Sequence, residues 1–126
     1  MELEINTGSP SAVYQQIVDQ IMAGVLSGAL SSGDSLPPIR QLAADLSLNP
    51  NTVAKAYKQL ENQRVIKTAR RAGTFIRDDA SENCVATNHR NAEVQLDEVV
   101  LTFKQRGISD KEIAELLHAK ISELET

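Results

Sequence analysis

The segment Asn49-Pro50-Asn51 separates two stretches in which apolar residues recur at helical spacing, residues 39–46 and residues 53–60. Pro50 has no amide hydrogen and disfavours helical geometry in the residue before it, so one continuous helix is excluded. Asn49 is a favoured residue for capping a helix N-terminus, and proline is tolerated in the first helical turn. The sequence therefore predicts that one helix ends and another begins at a new angle within a few residues.

Two further patterns flank this pair of helices. Upstream, four aliphatic residues recur every four positions and predict an amphipathic helix: Val13, Ile17, Ile21 and Val25. Downstream, β-type runs at residues 65–66 and 74–76 flank a polar, basic stretch, which predicts a two-stranded hairpin with a basic tip. The predicted fold is therefore mainly α, with a winged helix-turn-helix of three helices and a two-stranded β-wing over residues 1–78.

The remaining residues, 79–126, predict a linker and two amphipathic helices. Residues 78–91 have no apolar period, a helix follows from about Glu93 to Arg106, and Ser109 and Glu112 match a capping box that opens the last helix. Two short helices cannot bury their apolar stripes on each other alone, so we expect this tail to form a homodimer. The predicted dimerisation residues are Leu96, Val99, Val100, Phe103, Ile113, Leu116, Leu117, Ile121 and Leu124.

Charge is segregated along the chain, although the formal net charge of −4 alone would argue against a nucleic-acid partner. Residues 36–77 hold eight cations against two carboxylates, a net charge of +6. Residues 80–126 hold five cations against nine carboxylates, a net charge of −4. This asymmetry indicates a polyanion partner for the basic half, and the predicted fold indicates double-stranded DNA. A second helix-turn-helix in the tail is the competing interpretation, which its acidic balance disfavours.

The candidate DNA-binding residues follow from the helical projection of residues 50–62. The N-terminal residues of a recognition helix meet base edges, and the preceding helix crosses the DNA backbone. Asparagine pairs with adenine, and lysine reaches guanine or phosphate. On this basis the helices contribute Arg40, Asn51, Thr52, Lys55 and Lys58, and the hairpin tip contributes Arg70 and Arg71 beside Gly73.

Other classes of protein have weak support in the sequence. Two histidines, one cysteine and no glycine-rich phosphate loop argue against an enzyme, and Cys84, His89 and His118 lack the spacing of metal ligands. We therefore expect no cofactor and no metal. An acidic start and the lack of a long apolar run predict a soluble, cytoplasmic protein with no membrane association. A protein-interaction adaptor that uses the winged helix without specific DNA readout is the alternative function.

A family resemblance supports the first interpretation. The stretch "LPPIRQLAADLSLNPNTVAKAYKQLE", followed by "GTFI", resembles the N-terminal domain of the GntR family of bacterial transcription regulators over about residues 10–77. The short tail resembles the YtrA-like subfamily, in which two helices serve dimerisation. The resemblance implies a homodimeric repressor whose operator is contacted by Arg40, Asn49, Asn51, Thr52 and the wing around Gly73. The operator is expected to be an inverted repeat, and the sequence identifies no small-molecule effector.

The chain departs from the family pattern at three places. Pro38 stands where many members have a capping serine. Pro50 and Ala54 occupy positions that are basic in some other subfamilies, so base readout must use different side chains. Arg64 and Arg71 replace glycines that are common before and within the wing.

Overall fold

The structure, a computed structural model, describes residues 1–125, so that only Thr126 of the predicted tail lies outside the described residues. It contains two compact units, one of residues 1–87 and one that begins at Asn88. Over residues 1–125 the chain forms five helices and three strands, in the order α1 (Val13–Ser27), β1 (Ser35–Leu36), α2 (Ile39–Leu46), α3 (Pro50–Asn62), β2 (Ile66–Ala69), β3 (Gly73–Ile76), α4 (Ala80–Gln105) and α5 (Asp110–Glu123).

The core of the first unit is formed by the apolar faces that the helical periodicity predicted. The buried side chains of α1 are Ile17, Val18, Ile21, Met22 and Val25, and those of α3 are Val53, Ala56, Tyr57 and Leu60. Burial of each large aliphatic side chain contributes about 1.5–3 kcal/mol. The predicted winged helix-turn-helix fold is confirmed, and its framework is held together by aliphatic packing.

The wing contains one more strand than the sequence predicted. Strands β2 and β3 form the expected hairpin, with Ile66 opposite Ile76. Strand β1 then pairs with the other edge of β3, with Ser35 opposite Phe75, so that the antiparallel sheet has the order β1-β3-β2. The prediction of a two-stranded wing was incomplete because a strand of two residues is too short to show an alternating pattern and is defined by its distant partner.

Four of the helices are followed, within two residues of their last helical residue, by a residue whose backbone lies in the left-handed region: Gly28, Ser47, Arg64 and Gly107. After α2, the Leu48 amide donates to the Ala43 carbonyl at 2.8 Å. After α3, the Val65 amide donates to the Leu60 carbonyl at 3.0 Å. These backward bonds satisfy carbonyls at the helix ends, and glycine is the usual residue at such positions. Arg64, at φ 59°, therefore adopts the backbone geometry of the glycine that it replaces.

The predicted linker at residues 78–91 is wrong from residue 80 onward, because α4 begins at Ala80 and continues without a break to Gln105. Its first turns pack through Ala80, Cys84 and Thr87, all buried and spaced at helical intervals. The Asn83 side chain also donates to the Arg64 carbonyl at 2.8 Å. Small and polar residues thus anchor this part of the helix, and they left no apolar stripe in the sequence.

The end of α4 and the start of α5 lie where their sequence signals predicted. The Ser109 hydroxyl accepts a hydrogen bond from the Glu112 amide at 3.2 Å, which caps the start of α5. Gly107, at φ 81°, follows the end of α4, and the Ile108 amide donates back to the Phe103 carbonyl at 3.0 Å. Over the described part of the chain, no helix has the length and apolar character to cross a membrane.

Candidate nucleic-acid interface

The turn between α2 and α3 is fixed by two side chains. The Asn49 side-chain oxygen accepts a hydrogen bond from the Asn51 amide at 2.8 Å, and Pro50 is the first residue of α3, which confirms the predicted cap. The Tyr57 hydroxyl donates to the Pro37 carbonyl at 2.7 Å, and burial raises the pKa of Tyr57 to about 12. This bond ties the start of α2 to the middle of α3, so the two helices are held at a defined angle.

One face of α3 is available to a partner. Asn51, Lys55 and Lys58 are exposed and Thr52 is half-buried, whereas the opposite face of the helix lies in the core. Arg40, the second residue of α2, is also exposed. Helix α3 therefore presents an amide near its N-terminus, followed by ammonium groups one and two turns further along.

The tip of the wing carries two adjacent guanidinium groups. Arg70 and Arg71 are exposed in the turn between β2 and β3, which is closed by a 3.1 Å hydrogen bond from the Ala72 amide to the Ala69 carbonyl. Arg71 and Gly73 both have positive φ, of 69° and 102°. The arginine at position 71 therefore keeps the tight reversal that glycine usually provides.

These cations are electrostatically uncompensated within the part of the chain that the structure describes. Across residues 1–125, none of the five takes part in an ion pair: Arg40, Lys55, Lys58, Arg70 and Arg71. By contrast, Arg77 at the end of the wing pairs with Asp79 at 2.9 Å, and the hydrogen bond from Arg77 lowers the pKa of Asp79. The exposed charge of α3 and the wing tip is thus free to meet an anionic surface.

The packing of α1 against α3 brings in residues that sequence reasoning missed. The Lys55 ammonium lies 4.0 Å from the centroid of the Tyr14 ring. One residue further along α1, the Gln15 side-chain oxygen accepts a hydrogen bond from the Gln59 side chain at 3.3 Å. Contacts between residues more than forty positions apart leave no local pattern, so no signal in the single sequence indicated them.

The tail carries an apolar groove of about 310 Å³ between α4 and α5. Its lining includes seven of the nine predicted dimerisation residues, Leu96, Val99, Val100, Phe103, Ile113, Leu116 and Leu117, together with Lys120. The other two, Ile121 and Leu124, are exposed and do not line the groove. Leu116 and Leu117 remain 48% and 45% exposed, so the groove leaves much of its apolar lining in contact with solvent.

A winged helix-turn-helix with an uncompensated basic face is characteristic of DNA-binding proteins, and comparisons with known proteins agree. The model of the bacterial regulatory proteins of the gntR family matches residues 13–76. The chain is 34% identical to the HTH-type transcriptional repressor YtrA of Bacillus subtilis (strain 168), over 97% of this chain and 91% of the relative.

Solved structures extend the similarity across both units. A transcriptional regulator from Oenococcus oeni is 34% identical, with a TM-score of 0.70 over 94% of this chain and 97% of its own. YtrA from Sulfolobus acidocaldarius, a GntR-family transcription factor, is 29% identical, with a TM-score of 0.60 over 98% of this chain and 100% of its own.

The chain belongs to the GntR family of bacterial regulatory proteins and has the short architecture of its YtrA-like members. It is accordingly a DNA-binding transcription regulator. Because these relatives are named as transcription regulators, the prediction that the chain is not an enzyme is confirmed.

Proposed function

We propose that this protein is a homodimeric transcriptional repressor that acts in the cytoplasm by binding an inverted-repeat operator in double-stranded DNA. The observation that carries the proposal is the exposed, uncompensated basic face of α3. The four inward-facing side chains of α3 are buried in the core and hold this face rigidly, and Asn49 and Pro50 define where the helix begins. A rigid helix end with free donors is what insertion into a major groove requires.

The contacts divide by chemistry into base readout and phosphate binding. Asn51 pairs with an adenine edge, assisted by the Thr52 hydroxyl, and Lys55 reaches guanine or phosphate. Arg40 and Lys58 bind phosphates and set the register of the domain on the duplex. Because the Asn49 side-chain oxygen already accepts from the Asn51 amide, a DNA contact from Asn49 would use its amide nitrogen.

The wing supplies the remaining contacts in this proposal. Arg70 and Arg71 enter a minor groove or grip the phosphates beside it, because they occupy the exposed turn between β2 and β3. Gly73, with φ 102°, allows the chain to reverse close to the DNA backbone.

The apolar groove supports the homodimer. It is lined almost entirely by aliphatic side chains and Phe103, and the same tail of a second subunit would cover it with two-fold symmetry. Two recognition helices related by such symmetry read an inverted repeat. A dimer that occupies a promoter excludes RNA polymerase, and the repressor name of the Bacillus subtilis relative favours this outcome over activation.

Selection of duplexes from a randomised DNA pool by the full-length protein tests the proposal. We expect enrichment of an inverted repeat, with footprints on the same motif upstream of the protein's own gene. The logarithm of the affinity should fall by about 0.9 per neutralised phosphate for each log unit of salt. A pool that yields no motif, with salt-independent binding, would instead favour the adaptor function.

A further inference from the structure

One cation on the exposed face of α3 is held by a contact from another helix. The Lys55 ammonium lies 4.0 Å from the Tyr14 ring centroid, whereas Lys58, one turn closer to the C-terminus of α3, has no ion-pair partner in residues 1–125. Tyr14 belongs to the first turn of α1 and packs against the hydrophobic core. The adjacent bond between Gln15 and Gln59 fixes the same part of α1 against α3.

The contact restricts a side chain that would otherwise be highly mobile. A free lysine has a flexible four-carbon stem, and ordering it on DNA costs conformational entropy. A ring anchored in the core presents its face, where the electrostatic potential is negative, to the ammonium. Such a contact at an exposed site changes an equilibrium constant by a few-fold. Lys55 stays exposed while it makes this contact, so its charge remains accessible to solvent and to a ligand.

The direction of Lys55 matters because of its place in the helix. Lys55 follows Asn51 by four residues, so both side chains lie on the same face of α3, one turn apart. The segment of α1 that carries Tyr14 has no predicted DNA-binding residue of its own. Its contact with this face is made at the Lys55 ammonium.

We propose that Tyr14 is a positioning residue for DNA binding: its ring orders the Lys55 side chain on the exposed face of α3 before the duplex arrives. This inference rests on the proposed function, since it assigns Lys55 to the DNA contact. Tyr14 acts by reducing the ordering cost on binding, and its hydroxyl is not required.

A double-mutant cycle between Tyr14 and Lys55 tests the inference with the duplex selected by the wild-type protein. Tyr14→Leu keeps apolar volume but removes the ring, and Tyr14→Phe keeps the ring but removes the hydroxyl. We expect Tyr14→Leu to weaken binding about two- to fivefold and Tyr14→Phe to bind as the wild type does. Combined with Lys55→Ala, Tyr14→Leu should cause no further loss, because the two residues act through one contact.

The salt dependence separates the charged contact of Lys55 from the uncharged contribution of Tyr14, and Tyr14→Phe separates positioning from a direct hydroxyl–DNA contact. Lys55→Ala should lower the salt slope by about 0.9, as loss of one phosphate contact does, whereas Tyr14→Leu should leave the slope unchanged. Equal losses in Tyr14→Leu and Tyr14→Phe would overturn the inference in favour of a hydroxyl–DNA bond. Multiplicative losses in the double variant, or wild-type affinity in Tyr14→Leu, would overturn it as well.

Two controls keep the outcomes distinct. If the wild-type protein selects no duplex, the proposed function itself fails, and the inference fails with it. If Tyr14→Leu does not fold, the methylene protons of Lys55 in the wild-type protein provide the test by NMR. They should be shifted upfield by the ring and remain so in Tyr14→Phe; unshifted protons would overturn the inference.

Discussion

The two units of the chain treat their apolar residues in opposite ways. In residues 1–87 the aliphatic faces of α1, α2 and α3 converge into a continuous core, and side chains such as Ile21 and Leu60 are fully buried. In the described part of the second unit, Ile113 is the one buried hydrophobic residue, whereas Leu116 remains 48% exposed. The first unit has therefore completed its hydrophobic core, and the second has not.

The two units also differ in whether the cations discussed here form ion pairs. In the tail, Lys104 pairs with Asp110 at 3.3 Å, and Lys120 pairs with Glu123 at 3.0 Å. On α3 and at the wing tip, by contrast, no ion-pair partner is found among residues 1–125 for Lys55, Lys58, Arg70 and Arg71. Each unit is thus incomplete in a different respect: one lacks counter-charge, which DNA phosphates would supply in the proposed function, and the other lacks apolar cover, which a second tail would supply in the proposed dimer.

The largest expected effect comes from placing charge in the groove of the tail. Replacing both Leu116 and Leu117 by Asp should abolish the proposed dimer, because carboxylates would have to be buried in an apolar interface. Loss of the second half-site contact should weaken operator binding about 10²–10⁴-fold. Sedimentation analysis and operator titration measure the two effects, and circular dichroism checks that the first unit stays folded.

Leu101→Asp is the matched control, since Leu101 is 57% exposed and does not line the groove. This variant should remain a dimer with wild-type affinity. If the double variant also sediments as the wild type does, the groove is not the dimer interface.

Truncation of a single leucine should show the next largest effect and tests where the core lies. Leu60→Ala removes a fully buried side chain of α3 and should lower the free energy of unfolding by about 2–5 kcal/mol. Leu101→Ala should change it by no more than about 0.5 kcal/mol, as is usual for exposed positions. Denaturant titration of both variants measures the difference, and equal losses would contradict the contrast between the units.

A smaller effect is expected at the front of α3. Asn51→Ala should cost about 1–3 kcal/mol of specific binding free energy, the value of one bidentate base contact, with little change in folding. Asn62→Ala, an exposed asparagine at the far end of the same helix, is the control and should bind normally. If Asn51→Ala and the wild type bind the selected duplex with equal affinity, Asn51 is not one of the residues that contact bases.

Much of this architecture could be predicted because its signals are local. Helical periodicity identified the buried faces of α1 and α3, and Asn49 and Ser109 identified two helix starts through bonds to amides two and three residues away. Periodicity also identified most of the apolar residues that line the groove of the tail, and their role in dimerisation stays a prediction. Which residues touch DNA stays a prediction, because it depends on a partner that is absent from the sequence.

The features that were missed depend on distant contacts or on small residues. Strand β1 exists only through its pairing with β3, and the contact of Tyr14 with Lys55 joins two separate helices. The first turns of α4 pack through Ala80, Cys84 and Thr87, whose spacing is helical but whose small or polar side chains do not form an apolar stripe. A search for small residues at helical spacing could have found this segment.

The smallest expected effect concerns the two arginines with left-handed backbones. Left-handed geometry costs a non-glycine residue about 1–2 kcal/mol, and glycine gives back about 0.5–1 kcal/mol through the entropy of the unfolded chain. Arg64→Gly and Arg71→Gly should therefore each raise the free energy of unfolding by up to about 1.5 kcal/mol, measured by denaturant titration. Arg64→Ala, which keeps the strain, should bring no gain.

DNA binding should separate the two glycine variants, although their backbones change alike. Arg71 lies at the wing tip, so Arg71→Gly should weaken operator binding and lower the salt slope by about 0.9. Arg64 lies two residues after the end of α3, where the Asn83 side chain donates a hydrogen bond to its carbonyl. Since Arg64 is outside the proposed contact set, Arg64→Gly should bind as the wild type does. Equal losses of affinity would add Arg64 to the proposed DNA contacts, whereas no loss in either variant would remove Arg71 from them.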